Sequence, residues 1–155
     1  MTIIRFIHLL SLVIWIGGMI FFSFIAAPSI FKALPRETAG NVVGDIFPKY
    51  WLMGYLCSIT SLATITMLSY MEKSYPLLRV SLLVLMTALT FYSGLVVGAN
   101  AREVKAQIRM VDDVSKKEIL KSEFNALHKR STILNISILI LGLAVIFLTA
   151  YQREI

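Results

Sequence analysis

The chain has 155 residues, 57% of them hydrophobic and 15% charged, with a mean hydropathy of +0.78. Soluble domains carry about 25% charged residues, so the composition excludes an ordinary water-soluble domain and points to a polytopic membrane protein forming one domain over residues 1–155. The net charge of +6 then belongs to basic loops set against anionic headgroups and the cytoplasmic face, not to nucleic-acid binding.

The first predicted span covers about residues 6–31. From His8 to Pro28 it carries no acidic or basic residue apart from His8. At about 1.5 Å per residue it is long enough to cross a hydrocarbon core of about 30 Å. Arg5 could serve as the basic start of a signal peptide, but the apolar run from Leu9 exceeds the usual 7–15 residues of a signal core. Ile25 also stands where a small residue would be wanted for cleavage after Ala27. A retained helix is expected.

In the next segment Pro35 suits a first helical position. Ala39, Val42, Val43, Ile46 and Phe47 fall on one face at helical spacing. This predicts a short interfacial helix that stops before Pro48. Span two follows at about 50–71, with Tyr50 and Trp51 marking one interface and Tyr70 and Tyr75 the other. Its single cysteine, Cys57, is read as a small packing residue. Glu72 to Ser74 make a tight turn.

Span three is expected over about 76–98 and contains Gly94-x-x-x-Gly98, a pattern that lets helices approach closely. The helix should continue beyond the lipid to Asp112 and Asp113. A second helix, opened by a Ser115/Glu118 capping box, leads into span four at about 131–151. Val104, Ile108, Ile119, Leu120, Phe124 and Leu127 give the 99–130 extension an apolar face, so it should fold as an antiparallel helical hairpin. The predicted fold is an all-α, integral membrane four-helix bundle with an interfacial helix after span one and a cytoplasmic helical hairpin between spans three and four.

Lys and Arg counts set the expected orientation. One end carries Arg5, Lys73, Arg79 and Arg153, and the other carries eleven basic residues from Lys32 to Arg130. Both termini are therefore expected outside and the hairpin in the cytoplasm, as a multi-pass protein of a bacterial inner membrane.

Each span has a seam of small or polar residues that should face protein, since an unpaired polar group in hydrocarbon costs several kcal/mol. The seams are His8, Ser11, Trp15 and Gly18; Gly54, Cys57, Ser61 and Thr64; and Asn125, His128, Thr132, Asn135 and Gly142. Gly17, Gly18, Gly94 and Gly98 are the expected packing glycines. His8 is the candidate cofactor ligand, because imidazole binds metals and haem and an ionisable group within a span is a functional candidate. His128 should lie about 30 Å away across the membrane, so the two cannot share one metal. Asn100, Arg102 and Glu103 end span three opposite Asn125, His128 and Asn135, forming the densest polar cluster near the membrane. No Asp, Glu or Lys lies in the middle of a span, which disfavours an ion-coupled transporter. No nucleotide-binding loop or metalloprotease motif is present.

The His8-x6-Trp15-x-Gly17-Gly18 stretch, the Phe-rich run to Pro28, IFPKYW and FNALHKRSTILN together resemble the transmembrane protein 205-like family, domain of unknown function 4149. The resemblance covers nearly the whole chain and implies membrane residence more than an activity. Span one is also similar to the first span of the copper-resistance protein D family and of the haem-associated protoporphyrinogen oxidases. From those only His8 carries over, as a ligand to haem or copper. The oxidases place a basic residue within a later span, whereas here Val80 to Arg102 is uncharged up to its last residue.

The leading functional expectation is a non-enzymatic accessory or interaction protein. It would act through the hairpin or the Gly94/Gly98 face, with the lipid bilayer, a second copy or another membrane protein as partner. The alternatives are a haem- or metal-handling protein using His8, and a small-solute permease formed as an oligomer.

Overall fold

The computed structural model describes residues 1–151. Four long apolar helices run up and down through the bundle: α1 (Thr2–Ala33), α2 (Arg36–Glu72), α3 (Leu77–Met110) and α4 (Val114–Tyr151). No strand occurs among the described residues. The chain is a multi-pass, all-α membrane bundle in which consecutive helices pack side by side and α4 closes back on α1. Arg153, one of the residues counted for orientation, lies outside the described residues.

The burial pattern is that of a bundle in lipid. Leu12, Trp15, Ile16, Leu83, Met86, Ile138 and Val145 fill the interior at 0–2% exposure. Large apolar side chains such as Phe6, Val13, Phe24, Leu56, Leu85 and Phe147 face outward. Lipid is as apolar as these side chains, so the bundle coheres by van der Waals fit and interhelical hydrogen bonds more than by burial of apolar surface.

All four helices exceed the roughly 20 residues needed to span the bilayer. At the end away from the termini the surplus forms an extension. There Val97, Val104 and Leu127 make a second core, joined by Ile108, Leu120 and Phe124. The antiparallel hairpin is present, on the apolar face expected of it except for Ile119, which is 67% exposed because Leu120 takes the inward position on that turn.

The separate interfacial helix ending before Pro48 is not. Residues 36–47 are helical, and Ala39 and Val43 are buried as that face requires, but the helix runs through Pro48 into span two without a break. Proline removes the hydrogen bond to the carbonyl four residues back and crowds that carbonyl. Here the residue four back is Gly44, which has no side chain to resist the adjustment. Gly40 and Gly44, which weaken a helix in isolation, form a trough for Lys105, whose Nζ donates to the Gly40 carbonyl at 2.7 Å. Arg109 donates to Asn41 Oδ1 at 2.6 Å. The start of α2 is thereby tied to α3.

α1 likewise continues through Pro28, and the turn just before it, Phe21–Ala26, is widened to a π-helical hydrogen-bond register. Such turns often relieve a local conflict in the i→i−4 ladder. A second π turn, Ser93–Val97, lies in α3. The turn after α2 closes on Lys73 in the left-handed region, with φ 50° and ψ 30°.

The capping box at Ser115 is also replaced. The backbone N–H groups of Ser115 and Lys116 donate to Asp113 Oδ1 at 2.8 and 3.3 Å. Asp113 is the cap because α4 begins one residue before Ser115, leaving Ser115 inside the first turn.

Candidate functional site

His8 sits near the start of α1 and is 3% exposed. One turn on, Ser11 donates to the His8 carbonyl at 2.8 Å, and Ser61 on α2 stands 2.7 Å from Ser11 Oγ. Since the Ser11 proton is spent on the carbonyl, Ser61 donates to Ser11. His8 Nδ1 lies 2.9 Å from Thr64 Oγ1, and that hydroxyl in turn donates to the Thr60 and Ser61 carbonyls at 2.7 and 3.1 Å. With the Thr64 proton engaged, His8 Nδ1–H is the donor. The tautomer of the neutral ring is thereby set, and Nε2 is left as an acceptor.

His8 is among the residues lining a cavity of about 320 Å³ at the end of the bundle where α1 begins and α4 ends, and Nε2 is its free ring nitrogen. It is buried and has no hydrogen-bond partner among the described residues. Two further buried polar atoms in residues lining the same cavity share that condition: Ser69 Oγ on α2 and Arg79 Nε on α3. At the cavity edge Arg5 grips Glu72, donating from Nε at 3.1 Å and from Nη2 at 2.9 Å to one carboxylate oxygen. The described lining thus combines two guanidiniums, one carboxylate, the hydroxyls of Ser69, Ser74 and Thr149, and an imidazole acceptor. Buried polar groups are normally satisfied, so three residues with unpartnered polar atoms around one cavity make it the candidate site.

A divalent metal does not suit this donor set. Among the described residues no group of three or more His, Cys, Asp or Glu converges, and the guanidiniums of Arg5 and Arg79 would repel a cation beside His8. Copper handling is therefore poorly matched. For haem, His8 has the oriented imidazole that ligation requires, but the cavity is at the small end of ligand sites.

The other expected site residues are dispersed. Asn100, Arg102, Glu103, Asn125 and His128 are exposed, and no side-chain hydrogen bond joins them to one another. Arg102 lies over the ring of Trp51, 5.2 Å from its centroid. His128 stacks on Phe124 of its own helix, far along α4 from the cavity. Asn135 borders a void of about 10 Å³ within the bundle, close to the size of one water. Around that void Tyr50 Oη, Trp51 Nε1 and Ser93 Oγ also lack partners among the described residues.

Among the glycines, Gly18 receives the Met53 side chain, and Gly94 and Gly98 receive Trp51, with Tyr55 also at Gly94. The Gly94/Gly98 face is thus filled by this chain's own α2, so it is not free to pack a partner. Gly17 is not a packing glycine: it is exposed, and among the described residues no other element comes within 4 Å of where its side chain would begin.

Ser69 and Arg79 went unrecognised as site residues. The signals were present in the sequence: Ser61, Ile65 and Ser69 recur every four residues on α2, and Arg79 is a charge three residues after Pro76, inside the start of an apolar span.

The family described as "Domain of unknown function (DUF4149)" matches residues 10–109. The chain is also similar to an "Uncharacterized protein" of Aquifex aeolicus (strain VF5), 46% identical over 48 residues. That match covers 31% of this chain and 35% of the relative, so the chain spans about a third of that protein's length. No solved structure matches the chain. On the extent of the family match, which takes in Ser69, Glu72 and Arg79, the chain belongs to the DUF4149 family.

Proposed function

We propose that this family member is a non-enzymatic membrane protein that binds a small polar ligand in the cavity beside His8 and serves as an accessory component at the membrane. One observation carries the reading: three residues from three different helices, His8, Ser69 and Arg79, line one cavity, and each has a buried polar atom (Nε2, Oγ and Nε) without a partner among the described residues. The chemistry favours binding over catalysis. His8 is oriented by a hydroxyl rather than by a carboxylate that would raise its basicity, and the adjoining charge is predominantly cationic.

The proposed orientation has both termini outside and the hairpin in the cytoplasm, in a bacterial inner membrane. The excess of basic residues at the hairpin end supports it. The ligand would then enter from the outer side. The finer likeness to transmembrane protein 205-like proteins belongs to the same proposal and is supported by the His8–Trp15–Gly18 pattern.

The test is native mass spectrometry of the full chain in mild detergent, with an absorption spectrum recorded on the same sample. The expected result is one small-molecule adduct per chain, present on purification or after challenge with a metabolite panel, and lost in Arg79→Gln. A wild-type protein that takes up nothing would overturn the reading. A Soret band lost in His8→Ala would replace the small ligand with haem.

A further inference from the structure

We infer that the cavity binds a singly charged oxyanion that also carries a hydroxyl, its charged oxygens taken by Arg79 and Ser69 and its hydroxyl donated to His8 Nε2. The inference deepens the binding reading above and rests on it.

The charge balance sets the first requirement. Among the described residues Arg5 and Arg79 face a single carboxylate, Glu72, in the cavity lining, and Arg5 is already engaged with it through two hydrogen bonds. With a neutral His8 the described lining carries one net positive charge, and Arg79 is its guanidinium with no carboxylate partner among the described residues. A guest with one negative charge neutralises it, and charge-assisted bonds to a guanidinium and a hydroxyl are the strong kind.

The donor–acceptor pattern sets the second. Arg79 Nε–H and the Ser69 hydroxyl can donate. His8 Nε2 must accept, because Thr64 holds the ring proton at Nδ1. His8 Nε2 and Ser69 Oγ are buried and without partners among the described residues. A guest with acceptors alone leaves Nε2 unmatched. A guest with a hydroxyl next to its anionic oxygens satisfies all three atoms.

Two sources offer this chemistry: protonated inorganic phosphate, and the phosphate-plus-glycerol headgroup of phosphatidylglycerol. The cavity's place at the end of the membrane-crossing helices suits either.

The test uses the full chain in detergent. Calorimetric titration with inorganic phosphate is compared with sulfate, which carries no hydroxyl. Native mass spectrometry compares short-chain phosphatidylglycerol with phosphatidylcholine. Saturable phosphate binding, at least about tenfold tighter than sulfate, supports the inference with a free anion as the source. Retention of phosphatidylglycerol but not phosphatidylcholine supports it with a headgroup as the source.

In either case Arg79→Gln should weaken binding by about tenfold or more, and Ser69→Ala by less. His8→Phe should abolish the preference for the hydroxyl-bearing guest while leaving anion binding within a few-fold. Unchanged melting temperatures show that the variants fold, and Ser69→Ala is the mild substitution if Arg79→Gln does not. Absence of saturable binding by both probes, or binding undiminished in both Arg79→Gln and Ser69→Ala, overturns the inference. If both probes fail while another adduct still depends on Arg79, the oxyanion assignment falls and the binding reading stands. If no adduct of any kind forms, both fall.

Discussion

The indole of Trp51 occupies the notch that Gly98 leaves in α3, so close that a side chain at Gly98 would overlap its six-membered ring. Trp51 is 6% exposed and stacks on Phe47 at 5.1 Å, so it has little room to withdraw. Gly98→Ala should therefore destabilise the bundle by about 1–3 kcal/mol through overpacking. Gly17→Ala meets open space and should be neutral or, through helix propensity, up to about 1 kcal/mol stabilising. Thermal unfolding of the two variants in one detergent checks the contrast.

The His8–Ser11–Ser61–Thr64 network should show measurable coupling. Interhelical hydrogen bonds in membranes are worth roughly 0.6–1.7 kcal/mol. A double-mutant cycle on Ser11→Ala and Ser61→Ala should return a coupling in that range. Thr64→Val removes the acceptor for His8 Nδ1 and should cost about 1–3 kcal/mol. A Thr64→Ser variant should recover most of that loss, and additive melting shifts across the serine cycle would contradict the assigned bond.

The two turns should respond in opposite directions. Lys73 holds a left-handed conformation that costs a side-chain-bearing residue about 1–2 kcal/mol, so Lys73→Gly should stabilise by up to about 1 kcal/mol. Asp113 accepts from two free N–H groups at the start of α4, so Asp113→Ala should destabilise by about 1 kcal/mol. Ser115→Ala should have little effect. Denaturation of the three variants separates these outcomes.

The proposed orientation predicts which turn a membrane-impermeant maleimide can reach in intact cells. Ser74→Cys should be labelled from outside, and Asp112→Cys only after the membrane is breached. The native Cys57 is buried and should stay unlabelled in both. The reverse pattern would invert the topology and put the cavity on the cytoplasmic side.

The spans and hairpin could be read from the chain because each announces itself locally, by an apolar run or a face repeating at helical spacing. The continuity of α2 could not, because whether Pro48 stops a helix depends on the space at Gly44 and on the grip of Lys105, a residue far along the chain. The glycine pattern in α3 was visible, but its occupant was not, since Trp51 and Gly98 meet only through the rotation of two helices. The cavity was hidden for the same reason. Ser69 reads as packing and Arg79 as a topology marker until three helices bring them to His8.

The π turn at Ser93–Val97 has a consequence for insertions and deletions. A helix advances about 100° per residue, so a turn containing one residue more than the α register needs re-phases everything after it. Removing one residue from this turn would leave an intact helix but swing Val104 and Lys105 about a quarter-turn away from Leu127 and Gly40. The extension and the membrane-embedded bundle are thus two gears meshed at one tooth. A single-codon deletion here should uncouple them without unfolding either.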